Sequence, residues 1–317
     1  MLARILCAIV LGMLVFSYCS HKALSAPLLT VMIGSGEGQI DDQYMRAFVT
    51  ASGLNVKNYK YLPAAGGRSA LAYIQNSSEE ILLEVPLNMS LNMAMDPKDT
   101  TDLASLNWIG SLSGETNVLV VRSNDMKINT FEDLRNRGQS IFFAQSVNFS
   151  EDIYAMAARR LGTNFKFIKG YRGKAETLLS VDRGETEITN SSLSGNLSAL
   201  KVPGYKMIVQ MRMVRDPILK DIPAIGEYIK DEDTRALMSF LLSPYVISHP
   251  ILVSSKTSIE RVKYYQKIFD ETVNSPMYLE LARKNDLSHT PVRGSDIAHY
   301  VSSYRTMAQR VNAELGR

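Results

Sequence analysis

The stretch LLTVMIGSGEGQIDD, Leu28 to Asp42, passes from an apolar run through alternating glycines into two carboxylates. The apolar run predicts a buried strand, and the glycines predict a loop that other groups can approach closely. DDQYMRAFVTAS follows with Tyr44 and Phe48 at helical spacing, and Gly53 ends it. Strand, glycine loop and helix open a β/α unit. The pattern then repeats: strand NVKNYKYLP, loop AAGG (Ala64 to Gly67), helix RSALAYIQN, strand EEILLEVPL. Such a succession predicts a mostly parallel sheet covered by helices.

Further on, LNWIGSLSGETNVLVVRSND (Leu106 to Asp125) reads as a strand pair, with VLVVR leading from one lobe into another. Thr130 and Asp133 stand at the spacing of a helix-opening capping box. A second β/α series follows: SIFFAQ as strand, SVNFSED as polar loop, IYAMAARRLG as helix, NFKFIKG as strand. YRGKAETLLSVDRG then gives a loop and helix, and ETEITNSS and YKMIVQM give further strands. YVISHPILVSS (Tyr245 to Ser255) reads as a returning strand or pair, before a long helical tail. No repeat of solenoid length is present. Two β/α halves joined by two crossing segments fit this order better than one extended sheet.

The chain has 317 residues, enough for one large domain or two lobes. Apolar residues make up 45% and charged residues 21%, the balance of a folded protein with a sizeable core. The first 26 residues differ from the rest. Arg4 gives a positive end, Ile5 to Phe16 is apolar, and SYCSHKALSAP turns small and polar. This is the pattern of a secretory signal peptide cleaved near Ala26, since the apolar run is shorter than the roughly 20 residues of a membrane span. An uncleaved N-terminal anchor, or lipidation at Cys19, are the alternatives. Both cysteines, Cys7 and Cys19, lie in this leader, so the mature chain would lack thiol chemistry. Losing Arg4 and Lys22 from 35 basic residues leaves 33 against 32 acidic ones. With no basic run interleaved with aromatics, nucleic-acid binding has little support.

Motifs of enzymatic chemistry are equally thin. Gly34-x-Gly36-x-Gly38 has the strand-to-helix context of a dinucleotide loop but departs from the G-x-G-x-x-G spacing. It also lacks the G-K-[ST] ending of a phosphate-binding loop. The four histidines, His21, His249, His289 and His299, form no H-E-x-x-H motif, so neither metal nor cofactor is expected. There is no G-x-S-x-G nucleophile elbow. What does recur is one design, a strand ending in a loop of small or hydroxyl residues that turns into a helix. GSGEGQIDD, PAAGGRS and AQSVNFSED all have it. Unpaired N–H groups at a helix start attract anions, and a parallel sheet gathers such loops at the carboxyl ends of its strands.

At this point the residues resemble a known family: the extracytoplasmic substrate-binding proteins of tripartite tricarboxylate transporters, the Bug receptors of Gram-negative bacteria. P-A-A-G-G, Pro63 to Gly67, is similar to the family's P-G-A-G-G. FEDL (Phe131 to Leu134) follows VLVVRSND as in the family. Tyr171 to Gly173 matches its Y-K-G, and D-I-P-A-I-G-E (Asp221 to Glu227) resembles its D-V-P-T-x-x-E. Three places depart from the pattern. GSGEGQIDD replaces P-x-G-G-G-[ST]-D, with Asp42 matching the family Asp. AQSVNFSED replaces a glycine/serine run ending in His, and VSSKTS stands where P-A-G-T-P is usual.

The resemblance implies an α/β fold of the type II periplasmic binding-protein kind, with two β/α lobes joined by a hinge and a ligand cleft between them. Residues 27–121 with 248–317 would form one lobe, and 122–247 the other. The first jaw would comprise Gly36, Glu37, Gly38, Gln39 and Asp42, with Ala65, Gly66, Gly67 and Arg68 lining the cleft beside it. Gln145, Ser146, Asn148 and Ser150 would form the second jaw, faced by Tyr171, Arg172, Asn190 and Ser191. The implied protein is a monomeric periplasmic receptor, not an enzyme. It would capture a small organic carboxylate by lobe closure and deliver it to tripartite membrane permease subunits. Two rivals stand beside it: a ligand sensor signalling to a membrane partner, and a periplasmic enzyme using Glu37 with Asp42. Replacing Glu37 with Gln separates the last, abolishing turnover in an enzyme but only changing affinity in a receptor.

Overall fold

The computed structural model describes residues 28–316 except 64–66, 86–88, 124–127, 147–150, 195–199 and 201–202. The leader and the expected site residues Ala65, Gly66, Asn148 and Ser150 therefore lie outside the described residues. Among the described residues, no helix is long and apolar enough to cross a membrane.

The fold is α/β with two sheets. In the first, β1 (Leu29–Ile33) lies between β2 (Val56–Tyr61) and β3 (Ile81–Glu84), parallel to both. Helices α1 (Ile40–Ser52) and α2 (Arg68–Asn76) make the connections. In the second sheet, β6 (Ile141–Ser146) lies between β7 (Phe165–Tyr171) and β8 (Ile188–Ser192), again parallel to both. Its connections are α5 (Glu151–Leu161) and α6 (Lys174–Asp182). The two halves thus repeat one topology without a recognisable sequence repeat.

Each trio is extended by antiparallel strands. In the first sheet, β10 (Pro250–Val253) lies between β3 and β4 (Asn107–Ser111), and β11 (Val292–Arg293) forms the edge beside β4. In the second, β5 (Asn117–Arg122) lies between β8 and β9 (Tyr205–Gln210). The strands expected as a pair in Leu106–Asp125 are therefore both present but belong to different sheets. Only the five residues 112–116 separate them, and this stretch crosses from one sheet to the other instead of turning back. The region expected as a returning strand pair also divides. Helix α7 (Glu232–Val246) runs through Tyr245 and Val246, and only Pro250–Val253 is strand. Pro244 sits inside that helix and cannot donate to the Phe240 carbonyl; the Ser243 hydroxyl donates to it instead at 2.5 Å.

Alternation along the strands builds layers on both faces. Leu29, Val31 and Ile33 pack with Phe48 of α1 and with Tyr265 and Phe269 of α8 (Ile259–Val273), while Met32 points to the opposite layer. That opposite layer continues through Trp108 and Leu252 into the second half, taking in Leu119, Ile141, Phe143 and Ile188. Helix α7 and the terminal helix α11 (Tyr304–Leu315) belong to the same layer. One apolar seam therefore joins the two sheets on one side. Its polar edge is fastened by Arg160 of α5, which pairs with Glu314 of α11 and at 3.1 Å with Asp233 of α7. Thr130 opens α4 (Phe131–Asn136) with the expected capping box to Asp133.

Candidate functional site

Register places the site. Ile251 pairs with Glu84 at the carboxyl end of β3, and Asn117 pairs with Ser192 at the carboxyl end of β8. The carboxyl ends of both parallel trios therefore converge on the same two crossing segments, residues 112–116 and 247–249. These segments run side by side. Leu112 N–H donates to His249 O at 3.0 Å, Ser248 N–H to Ser113 O at 3.1 Å, and Glu115 N–H to Tyr245 O at 2.7 Å. Gly114 is pressed into this junction: a Cβ there would stand 2.9 Å from Tyr245 O and 3.0 Å from Thr290 Oγ1. Hydroxyl groups continue the contact between halves, with Ser194 Oγ 3.0 Å from Ser288 Oγ and Ser194 N–H donating to Glu115 Oε1 at 3.3 Å.

On the first-sheet side, the loop between β1 and α1 is closed by its own helix. Asp42, buried, accepts from Gly38 N–H at 2.8 Å, from Arg46 Nε at 2.9 Å and from the Tyr61 hydroxyl at 3.1 Å. Gly38 takes φ 75°, a left-handed turn that favours glycine. Glu37 points outward with 74% of its side chain exposed, 3.6 Å from Arg46. Gly36 and Gln39 flank it at the helix entrance, where Gln39 occupies the N-cap position without a side-chain cap. The N–H groups of the first turn of α1 are therefore left without a cap from that side chain.

Directly beneath lies a buried cluster that no linear motif announces. Asp41 Oδ1 is 2.9 Å from His249 Nδ1, and Glu84 Oε1 is 3.5 Å from the same nitrogen. The Tyr44 ring stacks on the His249 ring at 3.9 Å, and the Tyr44 hydroxyl donates to Ser288 O at 3.1 Å. Burial, with the Asp41 charge beside it, pushes the Glu84 carboxyl well above the usual carboxylate range. Burial opposes ionisation of Asp41 too, but the His249 hydrogen bond and charge hold it below that range. Burial raises the Tyr44 hydroxyl to about 12.

The second-sheet side presents Ser146 and Tyr171 at the ends of β6 and β7, paired to one another in the ladder. Gln145 Nε2 donates to Glu151 Oε2 at 3.3 Å, and its buried Oε1 has no hydrogen-bond partner among the described residues. Asn190 Nδ2 donates to Asn117 Oδ1 at 3.1 Å, and Ser191 is wholly buried. Arg172 is exposed and tied at 2.8 Å to Glu176. The next helical residue behaves differently. Lys174, at the start of α6, donates to Ser192 Oγ and makes no ion pair among the described residues. Burial pushes its ammonium pKa down, with the Glu115 charge working against the shift. It is a partly buried cation at the junction with its charge unmatched by a direct carboxylate.

No protein-family model and no curated protein matches the sequence. Solved structures do match. A TctC solute-binding protein from Polaromonas superposes with a TM-score of 0.72 over 92% of this chain and 99% of that one, at 16% identity. The chain has the TctC solute-binding fold. Malate-bound MatC from Rhodopseudomonas palustris superposes on this TctC-like chain with a TM-score of 0.59, covering 89% of it and 98% of MatC at 13% identity. An adipate-bound protein from the same bacterium gives 0.61 over 91% of the chain and 97% of its own length, at 14% identity.

Within the TctC-like fold the expected site residues fall into three groups. Gly36, Glu37, Gly38, Gln39 and Asp42 share the loop and first turn of α1; Gln145, Ser146, Tyr171, Asn190 and Ser191 share the carboxyl half of the second trio. Gly67 and Arg68 open α2, where the Arg68 guanidinium is occupied by Asp99 at 3.2 Å and Asp96 at 3.3 Å. Asp41, Glu84, Lys174 and His249 complete the polar junction and were not among the residues expected from sequence. Two signals for them exist in the linear chain: an acid inside the apolar strand EEILLEVPL, and a lone histidine inside YVISHPILV. Lys174 directly follows Tyr171-Arg172-Gly173.

Proposed function

We propose that this chain is a periplasmic solute-binding receptor, not an enzyme, that captures a small organic carboxylate between two lobes and delivers it to a tripartite membrane permease. The lobes comprise residues 27–116 with 248–317, and residues 117–247, after removal of a signal peptide over residues 1–26. The expected boundary at 121 moves back to the crossing segment because β5 (Asn117–Arg122) belongs to the second sheet. The observation that carries this reading is the convergence of both parallel trios on one pair of crossing strands, with the α1 N-terminus on one side and Lys174 on the other. Helix N–H groups and an ammonium are both suited to a carboxylate, and they come from different sheets. A ligand touching both favours the closed arrangement, and that differential affinity drives closure. The malate and adipate held by two similar folds are carboxylates of the size this reading requires.

Gly36 and the first turn of α1 supply the first jaw through backbone N–H groups, since the Gly38 N–H is held by Asp42 and the Gln39 N–H by Gly36 O. Ser146, Tyr171, Asn190, Ser191 and Lys174 supply the second. Isothermal titration of the mature protein with malate, adipate and longer or aromatic carboxylates tests the proposal, with Trp108 fluorescence as a second readout. Saturable binding of one such acid is expected. Failure of the folded protein to bind any of them at millimolar concentration refutes it.

A further inference from the structure

Glu84 is the residue that carboxylate capture leaves unexplained. It closes β3 with a wholly buried side chain, and among the described residues neither carboxylate oxygen meets a donor at hydrogen-bond geometry, the neighbouring Asp41 carboxylate being the group its proton can reach. The imidazole nitrogen nearest to it, His249 Nδ1, stands 3.5 Å away, beyond an ordinary hydrogen bond, and is already engaged by Asp41 at 2.9 Å. Two carboxyl groups thus share one imidazole beside the first turn of α1. Buried polar groups are ordinarily satisfied by a hydrogen bond, a counter-charge or a metal.

We propose that Asp41, Glu84 and His249 bind one divalent metal ion of the Zn2+ type. One ligand atom from each lies within 4.8 Å of the others. Ligands bonded at about 2.0–2.2 Å around one Zn2+ stand about 3–3.6 Å apart, so the closer pairs are already at that spacing and small side-chain rotations bring in the rest. One imidazole nitrogen with two carboxylate oxygens is a zinc donor set, and the imidazole argues against Mg2+ and Ca2+, which take oxygen ligands. The three side chains come from three rigid places: the first turn of α1, the end of β3 and the crossing segment before β10. His249 is fixed further by the Tyr44 stack and by its backbone N–H donating to Ser111 Oγ at 3.1 Å. Orientation of a metal-binding imidazole by its surroundings is what makes such a site selective. The Ser35 hydroxyl adjoins Asp41. The Asp41 side chain retains 11% exposure, so the cluster is not sealed from solvent.

The inference is independent of the carboxylate reading, since it is tested with metal and no organic ligand. The mature protein, stripped with chelator, is titrated with Zn2+ by calorimetry, and its metal content is measured after gel filtration. One Zn2+ per chain is expected, with a rise in melting temperature that Mg2+ and Ca2+ do not give. Glu84→Gln, close in shape and neutral, should weaken Zn2+ binding at least 100-fold, and His249→Gln likewise. Replacing the exposed His299 by Gln should leave it unchanged. Co2+ in place of Zn2+ reports directly on the wild type through its visible ligand-field absorption, whatever the variants do to folding. Wild-type protein that retains no Zn2+ overturns the proposal, as does a folded Glu84→Gln variant that binds Zn2+ like the wild type.

Discussion

At the scale of single residues, burial separates side chains that look alike in the sequence. Arg68 and Arg172 are the obvious cations near glycine-rich loops, yet both are already matched, by Asp96 with Asp99 and by Glu176. Among the described residues, Lys174 bonds a hydroxyl and no carboxylate. An incoming carboxylate would therefore gain most from Lys174, because a charge-assisted hydrogen bond in a partly dry site is worth about 1.5–3 kcal/mol. Lys174→Met should weaken carboxylate binding roughly 10- to 100-fold by calorimetry. The same change should leave the ligand-free protein as stable or more so in urea. Linkage gives a matching pH dependence. The folded-state pKa of Lys174 lies below the ordinary 10.5, so its burial costs stability at neutral pH and that cost fades as pH rises towards 10.5. Ligand affinity moves the other way, falling as the ammonium deprotonates. Glu37→Gln is the contrasting case: with its side chain 74% exposed, it should change affinity by no more than about twofold.

At the scale of elements, the glycine loop is held less by glycine than by Asp42. One carboxylate accepts from the loop backbone, from the helix itself through Arg46, and from β2 through Tyr61. It therefore ties three consecutive elements together at the mouth of the site. Asp42→Ala removes all three hydrogen bonds and should cost about 1–3 kcal/mol in urea unfolding, given that Arg46 is half exposed and regains water. Faster amide exchange at Gly38 would accompany it. The family resemblance is informative here, since Asp42 matches the family Asp although the glycines around it are rearranged. Lys174 and Arg68 open equivalent helices in the two halves, α6 and α2. The repeated topology thus offers a cation at both places, and the local acids decide which remains available.

At the scale of the whole molecule, relative motion of the two sheets has to pass through residues 112–116 and 247–249, while the seam of α7 and α11 limits it on one side. Gly114 lies where the crossing segments press together, and an added methyl group would meet Tyr245 O at 2.9 Å. Gly114→Ala should cost about 1–3 kcal/mol through overpacking and should shift the open-to-closed balance. Small-angle scattering with and without a bound carboxylate checks this. The wild type should contract on binding, and the variant should contract less or start from a different radius. A variant with wild-type stability and wild-type contraction would show that the crossing tolerates the methyl group.

Much of the fold was legible because its cause is local. Apolar runs of strand length, helical spacing of Tyr44 and Phe48, and the Thr130–Asp133 box all act within a few residues, and each formed its element. Both strands expected in Leu106–Asp125 form, with VLVVR in the second sheet, but they do not pair with each other because pairing is a long-range choice: β4 and β5 find partners in different sheets. Tyr245 and Val246 read as strand for a similar reason. Their β propensity is overridden by a helix whose buried face and Ser243 hydroxyl accommodate Pro244. By itself, then, the sequence determined the elements, the two β/α series and the small-residue loops that open helices. Tertiary structure alone decided which charges meet. Asp41 and His249 are 208 positions apart and touch only because β10 returns beside β3. Glu84 is buried against Asp41 and His249, and Lys174 against Ser192, by packing that no spacing along the chain encodes.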